Sequence, residues 1–142
     1  MNSLLQESIQ RQRNILKEWL STSLIHIADD CIRVWPERQA LEARLMSGLE
    51  ELPYCKYLYL LDEHARQITS NASRSGLQEA YFGRDRSQRP YLAQALAGNS
   101  FSLSHAYISQ NAKRPSLTAV QIIHDRTGKL LGYLDADFDL RE

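Results

Sequence analysis

The 142 residues are enough for one domain with its own hydrophobic core. The 17 Lys and Arg equal the 17 Asp and Glu, which argues against bulk attraction to nucleic acid or an anionic membrane. No apolar run approaches the ~20 residues that cross a bilayer, and no signal-peptide pattern follows Met1, so the chain as given is expected to be soluble and cytoplasmic.

The first predicted element is a long helix. Ser3-Leu4-Leu5-Gln6 matches a capping box with Ser3 as N-cap. Leu5, Ile9, Leu16, Trp19, Leu20, Leu24, Ile27, Cys31 and Val34 then recur at helical spacing, and Pro36 marks the end. This stripe is longer than one small domain needs to cover its core. Part of it is expected to pack against a second copy of the chain; the alternative is that all of it lies along the chain's own sheet.

Residues 37–51 form a second, shorter predicted helix with Leu41, Leu45, Met46 and Leu49 on one face, stopped by Pro53. Residues 54–62 are aromatic-rich and strand-like. A polar turn leads to 67–71, the expected hairpin partner. Residues 73–86 are polar, contain Gly76 and Gly83, and are expected to loop over one face of the sheet. Ser87 caps a short helix with Pro90 in its first turn and Gly98 past its end. Strands at 101–109, 116–124 and 129–140 complete the chain, with turns at 111–115 and 125–128.

The expected fold is α+β: an antiparallel sheet of about five strands, the long N-terminal helix on one face, the loop and short helix on the other. It is one domain over 1–142, with a helical segment at 1–51 and a sheet core at 54–140. Cys31 and Cys55 lack metal-ligand spacing and sit in apolar surroundings, so both are expected to be buried free thiols; a disulfide is the alternative.

Two features carry chemistry. Arg89 lies in the first turn of a predicted helix, where the dipole disfavours a cation by ~0.3–1 kcal/mol while the exposed N–H groups favour an anion. It faces either a ligand carboxylate or phosphate, or an internal partner such as Asp85 or Glu79. The last strand alternates: Leu130, Gly132, Leu134, Ala136, Phe138 and Leu140 belong to the core face, and Leu131, Tyr133, Asp135, Asp137 and Asp139 to the other. For Asp135 and Asp139 a solvated strand face is the expectation. His105, Tyr107 and Ser109 share one face of the strand at 101–109.

Enzyme readings find little support. His26, His64, His105 and His124 have no metal-like spacing, no serine sits in a nucleophile elbow, and no glycine loop could cradle a phosphate. No catalytic activity and no cofactor are expected; a small hydrolase or isomerase would need an activated group near Tyr107 and Asp137.

The ordered motifs Asp85-Arg86-Ser87-Gln88-Arg89-Pro90-Tyr91, Ser104-His105-Ala106-Tyr107-Ile108-Ser109, Arg114-Pro115-Ser116-Leu117-Thr118 and Asp137-Phe138-Asp139-Leu140 resemble the Cache, or PDC, family of bacterial sensor domains. The likeness covers about residues 57–140. It implies a PAS-like sheet and a dimer joined through the long helix. It also implies a small-molecule ligand, whose binding is passed to an output outside this chain. In that family the Arg before the Pro grips the ligand's carboxylate, so Arg89 takes that role here, and Asp137 aligns with the acid that holds a ligand amine. Tyr107 aligns with a pocket residue, and Tyr91, Ser109 and Arg84 complete the set. The chain departs from the amino-acid-binding version: Arg84 stands for a tyrosine, Leu92 for an aromatic and Ser109 for an aspartate. With Arg84, Arg86 and Arg89 the rim is cationic, which favours a carboxylate or another anionic metabolite over a free amino acid. The alternative is a structural dimerisation module with a vestigial pocket. The family also raises an alternative location, as an extracytoplasmic sensor fragment of a membrane protein.

Overall fold

The computed structural model describes residues 2–88, 101–103, 107–108 and 115–139. Helix α1 spans Asn2–Val34 and α2 spans Arg38–Gly48, continued by a 3-10 turn at Leu49–Glu51. The strands are β1 (Cys55–Asp62), β2 (Asn71–Ser73), β3 (Gly76–Gln78), β4 (Phe101–Leu103), β5 (Tyr107–Ile108), β6 (Pro115–His124) and β7 (Leu130–Asp139). They form one antiparallel sheet in the order β3-β2-β1-β7-β6-β4, with β5 also pairing β6. The α+β architecture expected from the sequence is therefore present, six rows wide rather than about five.

The extra row comes from the segment expected to be a loop, which supplies β3 and a 3-10 turn at Glu79–Tyr81. The hairpin partner of β1 also starts later than 67. There, backbone pairing with β1 is confined to the Ile68 amide on the Leu60 carbonyl (2.9 Å) and the Asp62 amide on the Arg66 carbonyl (2.8 Å), and side chains take over beyond it. The Leu60 amide donates to Thr69 Oγ1 (3.2 Å), and the Ser70 amide turns away to donate to Glu42 Oε2 (2.7 Å). Gln67 keeps only an isolated bridge to Leu61. Ser3 is not the N-cap, because the helix already includes Asn2. The strand expected at 101–109 is described as β4 and β5, and the short helix expected after Ser87 lies outside the described residues.

One face of the sheet packs on the helices. Leu20, Leu24, Ile27, Ala28 and Cys31 of α1, with Leu41 and Leu45 of α2, meet Leu58, Leu60, Ala119, Leu134 and Ala136 in one buried cluster. Each fully buried leucine stabilises by about 1.5–3 kcal/mol, so the C-terminal half of α1 is held by the sheet. Its N-terminal half is not: Leu5 is 63% exposed and Ile15 66%. Among the described residues, no helix is long and apolar enough to cross a membrane. Cys31 and Cys55 are buried and unbridged, as expected, and burial pushes the Cys31 thiol up to about 12.

Helix α2 approaches α1 closely through Gly48, where a Cβ would stand 2.9 Å from Ile27 Cδ1. Arg44 ties the same pair, with Nε 2.7 Å from Asp30 Oδ2 of α1. Near the start of α2, Glu42 is buried. Burial opposes its charge, but the Ser70 amide and the Arg38 guanidinium (2.9 Å) outweigh it and hold the carboxyl below its usual range.

In β7 the alternation holds from Gly132 onward. Leu130 and Leu131 are reversed, Leu131 packing on the helix side and Leu130 on the opposite face. A bulge explains this: Ile123 pairs Gly132 and His124 pairs Leu130, which leaves Leu131 as the inserted residue. At Gly132 an added Cβ would collide with the Leu61 carbonyl oxygen of β1.

Two outcomes follow for stability. Gly132→Ala is expected to destabilise by about 3 kcal/mol or more, because backbone cannot move aside as a flexible side chain can. An unchanged urea midpoint would contradict that packing. Glu42 has a folded pKa below its unfolded one, so its stabilising contribution is present above about pH 4.3 and is lost as the pH falls from there. Glu42→Gln should flatten the acid limb of a melting-temperature profile relative to the parent chain.

Candidate functional site

The sheet face away from α1 carries the polar residues. Tyr57, Tyr59 and Leu61 of β1, Thr118, Val120 and Ile122 of β6, and Tyr133, Asp135 and Asp137 of β7 alternate with the helix-side core. Register places Tyr57 and Thr118 on either side of Asp137, and Tyr59 and Val120 on either side of Asp135.

Asp137 is held from both neighbouring strands. Thr118 Oγ1 donates to its Oδ1 at 2.9 Å, and Tyr59 Oη donates to Oδ1 and Oδ2 at 3.2 and 3.3 Å. Tyr59 and Thr118 are buried while Asp137 is half-buried. The carboxylate is thus fixed in orientation. Hydrogen bonds to a charged group contribute about 1.5–3 kcal/mol each, enough to hold one rotamer. Asp135 overturns its expectation: it is 0% exposed, not on a solvated face. Ala65 packs against Tyr59, Leu61, Val120 and Tyr133 on this face and Arg86 lies over the Tyr59 ring, cover that a sequence alternation alone cannot show.

Those segments pair with each other. The Gln67 amide donates to the Arg84 carbonyl (2.8 Å), the Gly83 amide to the Gln67 carbonyl (2.9 Å) and the Arg86 amide to the Ala65 carbonyl (2.9 Å). Asp62 Oδ1 accepts from the His64 and Arg66 amides, which shapes the turn where Ala65 has φ 65°. Gly83, at φ 83°, supplies the left-handed residue that the opposing turn requires.

Arg86 is carried inward by this pairing and is only 5% exposed. Its Nε and Nη2 both donate to Gln67 Oε1 (3.0 and 2.8 Å), and its Cζ lies 4.4 Å from the centre of the Tyr59 ring. Gln67 is fixed in turn by donating to the Thr69 carbonyl and Asn71 Oδ1, both at 2.8 Å. Tyr81 leans on Tyr57 with centroids 6.4 Å apart and carries the Arg84 guanidinium at 4.6 Å. Burial, then the neighbouring Tyr81 phenol, pushes the Tyr57 phenol up. The arrangement is a sheet floor of two carboxylates and three tyrosines with a planar cation pinned among them. It suits a small polar ligand with hydrogen-bond donors. Among the described residues no cluster of His, Cys, Asp and Glu could hold a metal ion.

Of the residues expected in the site, Asp137 stands at its centre. Arg84 stands at the edge, exposed on Tyr81. Tyr107 lies on β5 opposite Ser116, and its side chain is outside the described residues, as are Arg89, Tyr91 and Ser109 altogether. The sequence reading did not single out Tyr59, Thr118 or Gln67, and it placed Arg86 only on a cationic rim. Tyr59 and Thr118 had a usable signal: each lies on the same alternating face as Asp137 in a strand beside it.

No family model matches the chain, and no curated protein matches it in sequence. Solved structures do match in shape. An extracellular ligand-binding receptor from Desulfohalobium retbaense superposes with a TM-score of 0.76 at 16% identity, over 96% of this chain and 24% of that one. The ligand-binding domain of the Campylobacter jejuni chemoreceptor Tlp3, in complex with 4-methylisoleucine, gives 0.71 at 16% identity, over 96% and 55%. That of the Pseudomonas fluorescens chemoreceptor CtaA, in complex with L-serine, gives 0.64 at 17%, over 99% and 62%. The chain spans less than two thirds of each of these proteins. At such low identity the likeness establishes the fold alone: the chain has the fold shared by these ligand-binding domains.

Proposed function

We propose that the chain is a sensing domain for a small, polar, carboxylate-bearing metabolite and works as a homodimer without catalysing a reaction. The observation that carries this is the Asp137 carboxylate, oriented by Tyr59 and Thr118 on the polar sheet face. In this reading Asp137 takes the ligand's donor end and Arg89 its carboxylate. Tyr91, Tyr107, Ser109 and Arg84 line the remainder. Amino-acid ligands in structures of the same fold support a ligand of that size. Binding shifts the loop and sheet relative to α1, and an output beyond these residues reads the shift.

A thermal-shift screen of carboxylates, amino acids, amines and purines, followed by calorimetry on its hits, tests the proposal. Arg89→Ala is expected to keep the fold and abolish the response; unchanged affinity would remove Arg89 from the site. Asp137→Asn discriminates ligand class. A ligand with an amine or hydroxyl should bind about 1–3 kcal/mol more weakly, and a purely anionic one equally well or better. A larger effect from Asp135→Asn than from Asp137→Asn would sink the assignment of Asp137.

The dimer reading rests on α1. Leu4, Leu5, Ile15 and Trp19 are 73%, 63%, 66% and 44% exposed on the half of the helix that the sheet does not cover, and apolar surface of this kind is suited to a partner. Sedimentation of the intact chain is expected to give a dimer, and replacing Ile15 and Trp19 with glutamate should shift it toward monomer without loss of the fold. A strictly monomeric parent chain at high concentration would refute this.

A further inference from the structure

We propose that α2 is a strap that links the loop over the site to α1, so that displacement at one end is felt at the other. The inference deepens the sensing proposal by naming how the site is coupled to the long helix, and it rests on that reading for its purpose. Its two ends are visible without any ligand.

At the site end, Arg38 in the first turn of α2 reaches three partners. Its Nε donates to Glu42 Oε2 at 2.9 Å, its Nη2 donates to Ser70 Oγ at 3.2 Å, and its Cζ lies 3.8 Å from the centre of the Phe82 ring. Phe82 is 46% exposed and sits at the tip of the turn that carries Tyr81, Arg84 and Arg86. Glu42 accepts the Ser70 amide at 2.7 Å from the companion segment. Both segments beside the site are therefore tied to α2, the one paired along β1 through the backbone of Ser70 and the one carrying Arg86 through the ring of Phe82. An exposed aromatic ring stacked on a guanidinium is a contact that can open and close without exposing core.

At the other end, Arg44 bonds Asp30 of α1 at 2.7 Å and Glu51 at 3.0 Å, and Gly48 lets Ile27 of α1 close against α2. The Arg44 hydrogen bond holds the Asp30 carboxyl below its usual range. Arg38 and Arg44 stand six residues apart on one helix, about 9 Å along its axis. Leu41 between them and Leu45 just beyond Arg44 are fully buried, so α2 moves as one body or not at all. A rigid rod with polar contacts to the loop at one end and to α1 at the other transmits a small displacement without a new fold.

Hydrogen exchange on the intact chain, with no ligand added, tests the linkage. Phe82→Ala leaves the Arg38–Glu42–Ser70 contacts in place and should fold. It is expected to speed exchange about two- to fivefold, the size set by an exposed cation–π contact, at amides 83–86 and also in α1 at residues 26–34. A rise confined to the loop, no rise at all, or an equal rise in β6 and β7 would each overturn the proposal. Arg44→Ala supplies the reciprocal arm. Faster exchange at residues 79–86 is expected, and a response limited to the helices would overturn the linkage. A failed ligand screen counts against the sensing site and leaves these outcomes unchanged, so the two readings fail separately.

Discussion

Strand β7 is the constraint on which both layers depend. It lies between β1 and β6 in the middle of the sheet, so its two faces are committed to different environments. Leu134, Ala136 and Phe138 go to the helix layer, while Tyr133, Asp135 and Asp137 go to the site. A slip of one residue would exchange the two sets and place carboxylates beneath α1. Moving an ionised carboxylate into such a core carries a penalty of several kcal/mol. Register is further fixed where Gly132 meets the Leu61 carbonyl, a contact that admits no side chain. Beyond that point the bulge at Leu131 absorbs one residue, so both leucines remain in apolar contact despite being adjacent.

The same strand sets the electrostatics of the site. Asp135 is fully buried and Asp137 half-buried, two residues apart on one face. The nearly buried Arg86 answers them with positive charge on the same side of the sheet. Its flat guanidinium stacks on Tyr59 and forks onto Gln67, a geometry that lysine could not reproduce. Tyr59 touches both halves of this arrangement, its ring against the cation and its hydroxyl against Asp137. A tyrosine serves here because one side chain presents an aromatic face and a polar tip at once.

What could be read from the sequence was what local chemistry determines. Both helices were legible from period and from Pro36, β1 from its run of aromatic and strand-forming residues, and β7 from alternation, because each repeats its signal over many residues. The Asp125 turn was legible too: its Oδ1 accepts from the Thr127 and Lys129 amides, as an aspartate before Gly128 is suited to do. What escaped was set at long range. Nothing near Thr69 and Ser70 announces that a hydroxyl will replace a ladder carbonyl, or that Glu42, 28 positions away, will take an amide. Arg84 and Arg86 are two residues apart and chemically alike, yet one is exposed and the other buried. The turn at Gly83 and the pairing with 65–67 decide which. Asp135 was misjudged because alternation reports which face a residue occupies and not what later covers that face.

The sheet also separates the two functions proposed for this domain. The polar floor lies on one side, the long helix on the other, and between them Ala119, Leu134 and Ala136 are packed with no exposure. A close-packed layer of this kind resists the side-chain rearrangement that a path straight through it would require. The β2–β3 side of the sheet is different. There the ladder is short, side chains have taken over some backbone partners, and the segments beside the site reach α2 through Ser70 and Phe82. The residues that depart from regular strand geometry are thus the ones that join the two faces. The irregularity that hid this region from a sequence reading is the physical basis for assigning it the coupling role.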